Sequence, residues 1–128
     1  MNAPPVSFNE LYRRAQQVVN PRRLSINADA GSVGAALLST SNTVYVGVCI
    51  DTICSMGFCA EHAAAAAMIT AGEHRVLRMV AVGRKGQVMS PCGRCREFIS
   101  QLHEDNLNTE VMTRDKSIVE LRALLPYA

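Results

Sequence analysis

The chain has 128 residues, 48% hydrophobic and 19% charged, with eight Gly and five Pro, so it is long enough to bury one core and short for two. Thirteen Lys and Arg against eleven Asp and Glu leave a net charge of +2, too little for a protein whose affinity rests on neutralising many phosphates. No apolar run reaches the ~18 residues of a membrane span, and no basic stretch followed by a signal-type hydrophobic one opens the chain.

The expectation is therefore a soluble, cytoplasmic, single-domain protein over residues 1–128, with neither nucleic acid nor membrane as partner. Ser7 and Glu10 have capping-box spacing, and Phe8, Leu11, Tyr12, Ala15, Val18 and Val19 recur at helical intervals until Pro21. This predicts a helix over residues 8–19. Val33 to Leu38 and Thr43 to Cys49, separated by the polar Thr40, Ser41 and Asn42, read as two strands of a hairpin. The alanine-rich stretch from Cys59 to Thr70, ending at Gly72, predicts a helix whose small side chains permit close packing, including against a neighbouring subunit. Arg75 to Gly83 is short and apolar enough for a buried strand, closed by Lys85 and Gly86. Gly93 to His103 places Phe98, Ile99 and Leu102 on one side of a helix, and Thr109 to Thr113 reads as a strand. Ser117 and Glu120 repeat the capping-box pattern and predict a last helix stopped by Pro126. The order α-β-β-α-β-α-β-α makes an α/β fold, a mixed sheet sandwiched by helices, with no repeat or linker.

Five cysteines without a signal peptide point to metal or catalytic chemistry rather than a disulfide framework. Cys59-Ala60-Glu61 and Pro91-Cys92-Gly93-Arg94-Cys95 hold three soft thiolates, two at C-x-x-C spacing, which is a zinc-type ligand set. Three protein ligands leave one tetrahedral position open for a water whose pKa falls toward ~7 on Zn²⁺. Glu61, two residues after the first ligand, is placed to move protons. Both ligand segments open predicted helices, whose free N–H groups, with Arg94, Arg96 and His62, would offset the negative charge of three thiolates. Two other readings stand beside this one. The cysteines are also common core residues, and His62 at C-x-x-H spacing is a possible fourth ligand that would close a structural site in a non-catalytic, zinc-stabilised binding module.

A Cys-Ala-Glu element followed about thirty residues later by Pro-Cys-x-x-Cys resembles the zinc nucleoside deaminase signature, and the resemblance is to the cytidine deaminase family. It extends through Val33-Gly34-Ala35-Ala36-Leu37-Leu38, the Gly47 to Asp51 stretch, Ser90 to Arg96 and Val119 to Pro126, which look like the short homotetrameric members. The resemblance implies a three-layer α/β/α sandwich, Zn²⁺ on Cys59, Cys92 and Cys95, and a homotetramer acting on a small nucleoside. It also implies a mechanism in which hydroxide attacks C4 of the pyrimidine while Glu61 protonates the ring nitrogen and then the departing amine. Ser90 and the carbonyl of Pro91 would lie near that amine, and the backbone N–H groups of Ala60 and Cys92 would hold polar atoms of the base and the attacking oxygen. His62 and Arg94 would stand behind the ligands.

Departures from the family pattern bear on the substrate. Where family members grip the ribose with an Asn and a Glu, this chain has Cys49 and Asp51, and a thiol cannot replace an amide's hydrogen bonds. Gly31 replaces an aromatic residue, and the stretch from Cys49 to Cys59 looks one residue short. Ser-Pro-Cys-Gly-Arg-Cys-Arg resembles the blasticidin S deaminase branch. Cytidine or deoxycytidine is the default substrate, and a modified or antibiotic nucleoside such as blasticidin S the alternative. A polynucleotide-editing enzyme is disfavoured by the low charge and 5% aromatic content. As small apolar fillers, Cys49 and Cys54 would carry no chemistry. Tyr45 and Phe58 read as core, Phe58 also as a weaker candidate for the pocket wall, and His74 and His103 as surface residues.

Overall fold

The computed structural model describes residues 3–127. Ser7 caps the first helix, α1 (Phe8–Val18), by accepting the Glu10 N–H at 3.2 Å, and buries Leu11 and Ala15 one turn apart. The predicted hairpin forms from β2 (Ala28–Ser39) and β3 (Val44–Thr52), and β2 starts earlier than expected because β1 (Arg22–Ser25), an exposed edge strand absent from the hydrophobic pattern, pairs with its first residues. Then follow α2 (Ala60–Thr70), β4 (Val76–Gly83), the two-residue β5 (Val88–Met89), α3 (Gly93–Leu102) and β6 (Glu110–Met112).

The last predicted helix is not there. Ile118–Glu120 forms β7, antiparallel to β6 with Val119 opposite Val111, and Leu121–Leu124 is a 3₁₀ turn. The capping-box residues serve a hairpin instead. Ser117 N–H donates to Asp115 at 3.1 Å, its carbonyl accepts from Thr113 N–H at 2.9 Å, and Lys116 takes the left-handed φ of 66° that reverses the chain. Eight residues before Pro126 are too few for a helix to outweigh that pairing.

The sheet runs β3-β2-β4-β6-β7, with β1 and β5 beside the long strands and β4–β6 the one parallel pair among the described residues. Strand alternation sorts the core into two layers. Ala36, Leu38, Val80 and Val82 face α1, while Leu37, Met79 and Val111 face α2 and α3 through Ala64, Ala65, Met68 and Ile99. A three-layer α/β/α sandwich results, as expected. A third cluster of small residues, Ala35, Cys49, Ala60 and Ala81, lies where β2, β3 and β4 pass under the start of α2, and their short side chains leave room for a cleft.

Gly47 sets how close α2 lies to β3. A Cβ there would stand 2.4 Å from the Ala64 backbone nitrogen and 2.7 Å from the Ala63 Cβ. Beyond the other end of α2, the Glu73 carboxylate accepts from Tyr45 Oη at 2.7 Å, Ser41 Oγ at 2.8 Å, Ser39 Oγ at 2.9 Å and Ser41 N–H at 3.3 Å, tying the helix to the β2–β3 turn. The Tyr45 hydroxyl above all, then the serine donors, holds this carboxyl below its ordinary value despite some desolvation.

Gly47→Ala is expected to destabilise the fold by about 1–3 kcal/mol, seen as a lower thermal midpoint, because backbone must move to admit the methyl. Glu73→Ala should also lower that midpoint at neutral pH. Since the folded value lies below the unfolded one, the Glu73 contribution is present above the unfolded value and lost as pH falls through the folded one. Denaturation of wild type and variant should therefore converge in acid.

Candidate active site

Cys59 occupies the N-cap of α2 and Cys92 the N-cap of α3, both with extended backbone (φ −74°, ψ 160° and φ −68°, ψ 168°), and Cys95 sits in the first turn of α3. Two helix N-termini thus meet at three sulfurs. Cys59 and Cys92 Sγ are 3.5 Å apart, Cys92 and Cys95 Sγ 3.4 Å, and all three lie within 4.8 Å of one another. Zn–S bonds of ~2.3 Å at tetrahedral angles separate sulfurs by about 3.8 Å, so the set fits one Zn²⁺. Burial, then the neighbouring sulfur of Cys92, pushes the Cys59 thiol up to about 11, and burial pushes Cys95 up as well. Burial also acts on Cys92, but the N–H groups of Cys95 and Arg94 and the adjoining thiols outweigh it and hold Cys92 below its ordinary value. A cation among them reverses the first two shifts and removes the mutual repulsion.

Glu61 stands in the first turn of α2, 4% exposed, and burial pushes its carboxyl up, partly opposed by its own N–H and the Cys95 thiol. His62 is 9% exposed and stacks on Phe98 with centroids 4.2 Å apart and planes 13° from parallel. Its Nδ1 lies 3.5 Å from Cys95 Sγ, and the group of mutually adjacent donor atoms consists of the three sulfurs without it. Burial, then the Arg94 charge, lowers the His62 pKa and favours the neutral ring; beside a zinc-bound Cys95 thiolate, the tautomer protonated on Nδ1 would donate to that sulfur.

Cys59, Cys92 and Glu61 open onto a cleft of about 440 Å³ whose wall includes Cys49, Asp51, Phe58, Ala60, Ser90 and Arg94, with Cys95 buried behind them. A buried carboxyl beside a zinc-type thiolate triad, at the floor of a cavity of ligand size, is the arrangement of a metal-assisted hydrolase.

The description of the cytidine and deoxycytidylate deaminase zinc-binding region matches residues 8–110 of this chain. The chain belongs to that family. Cytidine deaminase from Mycobacterium tuberculosis (strain CDC 1551 / Oshkosh) is 32% identical over 97 residues, 75% of this chain and 71% of that protein. A crystal structure of cytidine deaminase from Mycobacterium tuberculosis superposes with a TM-score of 0.80 at 28% identity, covering 96% of this chain and 97% of that one. The enzyme from Mycobacterium leprae superposes at 0.79 over 94% and 98% of the two chains, and at 22% identity shares the fold. This chain is a zinc-dependent deaminase.

The deaminase gathers most of the sequence-predicted residues into one wall. Cys49 is buried, 3.2 Å from Ser32 Oγ and 3.8 Å from Asp51 Oδ2. Ser90 Oγ accepts the Arg114 N–H at 2.9 Å. Pro91 is outside the cleft wall, and its carbonyl accepts from Arg96 Nε at 2.7 Å. Arg94 reaches across the mouth to the Gly57 carbonyl at 3.4 Å.

Several placements differ from expectation. Phe58 is not core. It is 38% exposed and supplies the one aromatic ring among the described residues of the cleft wall, because Gly57 and Phe58 bridge back to Ile50 and turn the ring outward. Gly31 has no room for an aromatic: its φ is +86° and a Cβ would meet the Asn20 carbonyl oxygen at 2.1 Å. Cys54 is exposed, at φ 59° in the turn after β3, and fills no core. His74 is exposed and His103 half-buried, where its Nδ1 accepts the Asp105 N–H at 2.9 Å. Ser32 and Thr52, whose buried Oγ1 has no partner among the described residues, also line the cleft and carried no sequence motif. Only the β2 bulge and the β3 register bring them there.

Cys92→Ala should abolish stoichiometric zinc by metal analysis. Stripping zinc from the wild type with a chelator should lower its thermal midpoint, since three clustered sulfurs, Cys95 buried, Cys59 half-buried and Cys92 exposed, then lose their shared cation.

Proposed function

We propose that the deaminase hydrolyses the exocyclic amine of a cytidine-type aminopyrimidine nucleoside, cytidine or deoxycytidine by default, to a uridine-type product and ammonia. The observation that carries this reading is the Glu61 carboxyl, buried beside Cys59, Cys92 and Cys95 at the floor of the cleft. Zinc, when held by the three thiolates, makes hydroxide available near neutral pH. Glu61 takes one proton from water and passes it to the pyrimidine ring nitrogen, then takes the proton of the hydroxyl added at C4 and delivers it to the departing amine, which leaves as ammonia. Burial that raises its proton affinity suits a group that must hold a proton between these transfers.

The free N–H groups of Ala60 and Cys92, at the openings of α2 and α3, orient polar atoms of the base and the attacking oxygen. Ser90 lies on the amine side, and Pro91 acts through its neighbours, its carbonyl being held by Arg96. Phe58 offers a stacking face at the mouth. Cys49 and Asp51 face the sugar or its replacement. His62 and Arg94 hold Cys95 and the loop before α2 rather than touch substrate. Arg94, which with Gly93 separates Cys92 from Cys95, and the thiol at position 49 favour a second reading within the same reaction, a modified or antibiotic nucleoside such as blasticidin S. The exposed alanines of α2, Ala66 and Ala67, support packing against further copies in a homotetramer, and the family reading supports a cytoplasmic enzyme. Among the described residues no helix is long and apolar enough to cross a membrane.

Ammonia release from cytidine, deoxycytidine, cytosine and blasticidin S tests the proposal. Glu61→Ala should keep its zinc and lose roughly 10²–10⁴-fold in turnover. His62→Ala should keep zinc as well. Zinc loss in that variant would instead favour a closed structural site and a binding module.

A further inference from the structure

The loop that carries Cys92 joins β5 to α3 and is held from outside the cleft. Ser90 and Cys92 line the cleft, and Pro91 between them does not. Ser90 Oγ accepts at 2.9 Å from the N–H of Arg114, in the turn between β6 and β7. Pro91 is buried, and its carbonyl accepts from Arg96 Nε at 2.7 Å, while Nη1 of the same guanidinium donates to the Leu124 carbonyl at 3.4 Å. One side chain thus bridges the ligand loop and the C-terminal 3₁₀ turn.

The helix explains the reach. Arg96 N–H donates to the Cys92 carbonyl at 3.0 Å, one turn after the N-cap, and helical side chains lean toward the N-terminus, so the guanidinium passes back beside Pro91. A cation so close to the start of a helix opposes its dipole, and α3 has no acid in its first turn to offset it. The two carbonyls do so instead. Leu121 is fully buried, and Leu124 and Leu125 pack against the same core cluster, which keeps the Leu124 carbonyl in place.

A peptide unit is planar, and in a trans one the carbonyl and the N–H point to opposite sides. No cis bond occurs among the described residues, so a Pro91 carbonyl fixed toward Arg96 aims the Cys92 N–H the other way, on the side of the cleft that Cys92 lines. The N–H groups of Arg94 and Cys95 serve the Cys92 sulfur. The Cys92 N–H itself has no acceptor among the described residues.

We infer that Arg96 is a positioning residue that, by bridging the Pro91 and Leu124 carbonyls, holds the Cys92 N–H toward the oxygen that attacks C4, so that the C-terminal turn governs transition-state binding without touching substrate. This rests on the deaminase reading for the place of that oxygen. The task is geometric: a guanidinium that only offset thiolate charge would be replaceable by another cation. A donor aimed at the attacking oxygen acts on the tetrahedral state more than on the planar ground state.

Tetrahydrouridine, whose tetrahedral C4 bears a hydroxyl, and uridine, whose C4 is planar, are the probes for calorimetric titration of the zinc-loaded protein. Zinc content and thermal midpoint are measured for each variant. The wild type is expected to prefer tetrahydrouridine. Arg96→Gln removes the charge and the bridge, and Arg96→Lys keeps the charge and loses the two-armed fork. Both should retain zinc and lose about tenfold or more of that preference, with kcat for cytidine falling and KM little changed. In wild type isotopically labelled at its cysteine nitrogens, the Cys92 amide resonance should move with tetrahydrouridine and far less with uridine. A preference kept in Arg96→Lys, or one lost only because zinc is lost, leaves charge compensation as the role and overturns the inference. So does a Cys92 amide that shifts equally with both nucleosides, a measurement that needs no variant to fold. Tetrahydrouridine bound no better than uridine by the wild type also overturns it, and ammonia release from cytidine then shows whether the deaminase reading stands.

Discussion

Three thiol groups crowded within 4.8 Å of one another at the openings of two helices are the constraint on which the rest of the molecule depends. Burial opposes charge on each, and Cys59 and Cys95 are pushed up as thiols, since a neighbouring thiolate adds to the cost of ionising them. A divalent cation turns the same crowding into a bound centre. The helix ends supply further positive potential, felt most at Cys92, whose sulfur lies over the first N–H groups of α3. Both helices must therefore start at one point, and at Gly47 the packing that brings α2 there leaves no room for a Cβ.

That packing is decided by small residues. Gly47 lets α2 lie against β3 at backbone distance, and Ala35, Ala60 and Ala81 keep the floor low under the sulfurs. Larger side chains on the same faces, Leu37, Met68, Met79 and Ile99, fill the layer farther from the site. A gradient from small to large along one face of the sheet produces a solid core at one end and a cleft at the other. Glu61 lies at the boundary, buried enough to raise its proton affinity and still part of the cleft wall.

The substrate side of the cleft is built differently from the metal side. Its residues come from the edge of the sheet, where β2 bulges, Gly31 takes a left-handed conformation and the chain after β3 turns through Cys54 at φ 59°. Edges and turns vary without disturbing the core, so the same reaction centre accepts different surroundings. Cys49, Asp51 and Phe58 belong to this variable part. Under the proposed function, Cys49, Asp51 and Phe58 bear on which aminopyrimidine binds, and the cysteines and Glu61 on what happens to it.

From the residues alone, the metal site could be read almost whole, because ligand chemistry imposes spacing: Cys92 and Cys95 must be one helical turn apart, and Glu61 must follow Cys59 within the first turn of its helix. The first three helices and the long strands were equally legible, since each carries a cap, a breaker or a continuous apolar run. Folding decided what depends on partners distant in sequence. Ser117 and Glu120 have the pattern of a helix start, yet β6 offers Val119 a ladder and the segment becomes a strand. Phe58 looks like core by composition, and its bridge to Ile50 turns it to the cleft mouth. Arg22, Arg23 and Arg84 are ordinary surface charges along the chain and become the lining of one cavity only because β1, the β2 bulge and the end of β4 meet. Local spacing encodes a reaction centre held on helix ends, whereas a binding wall assembled across strands exists only once the register is set.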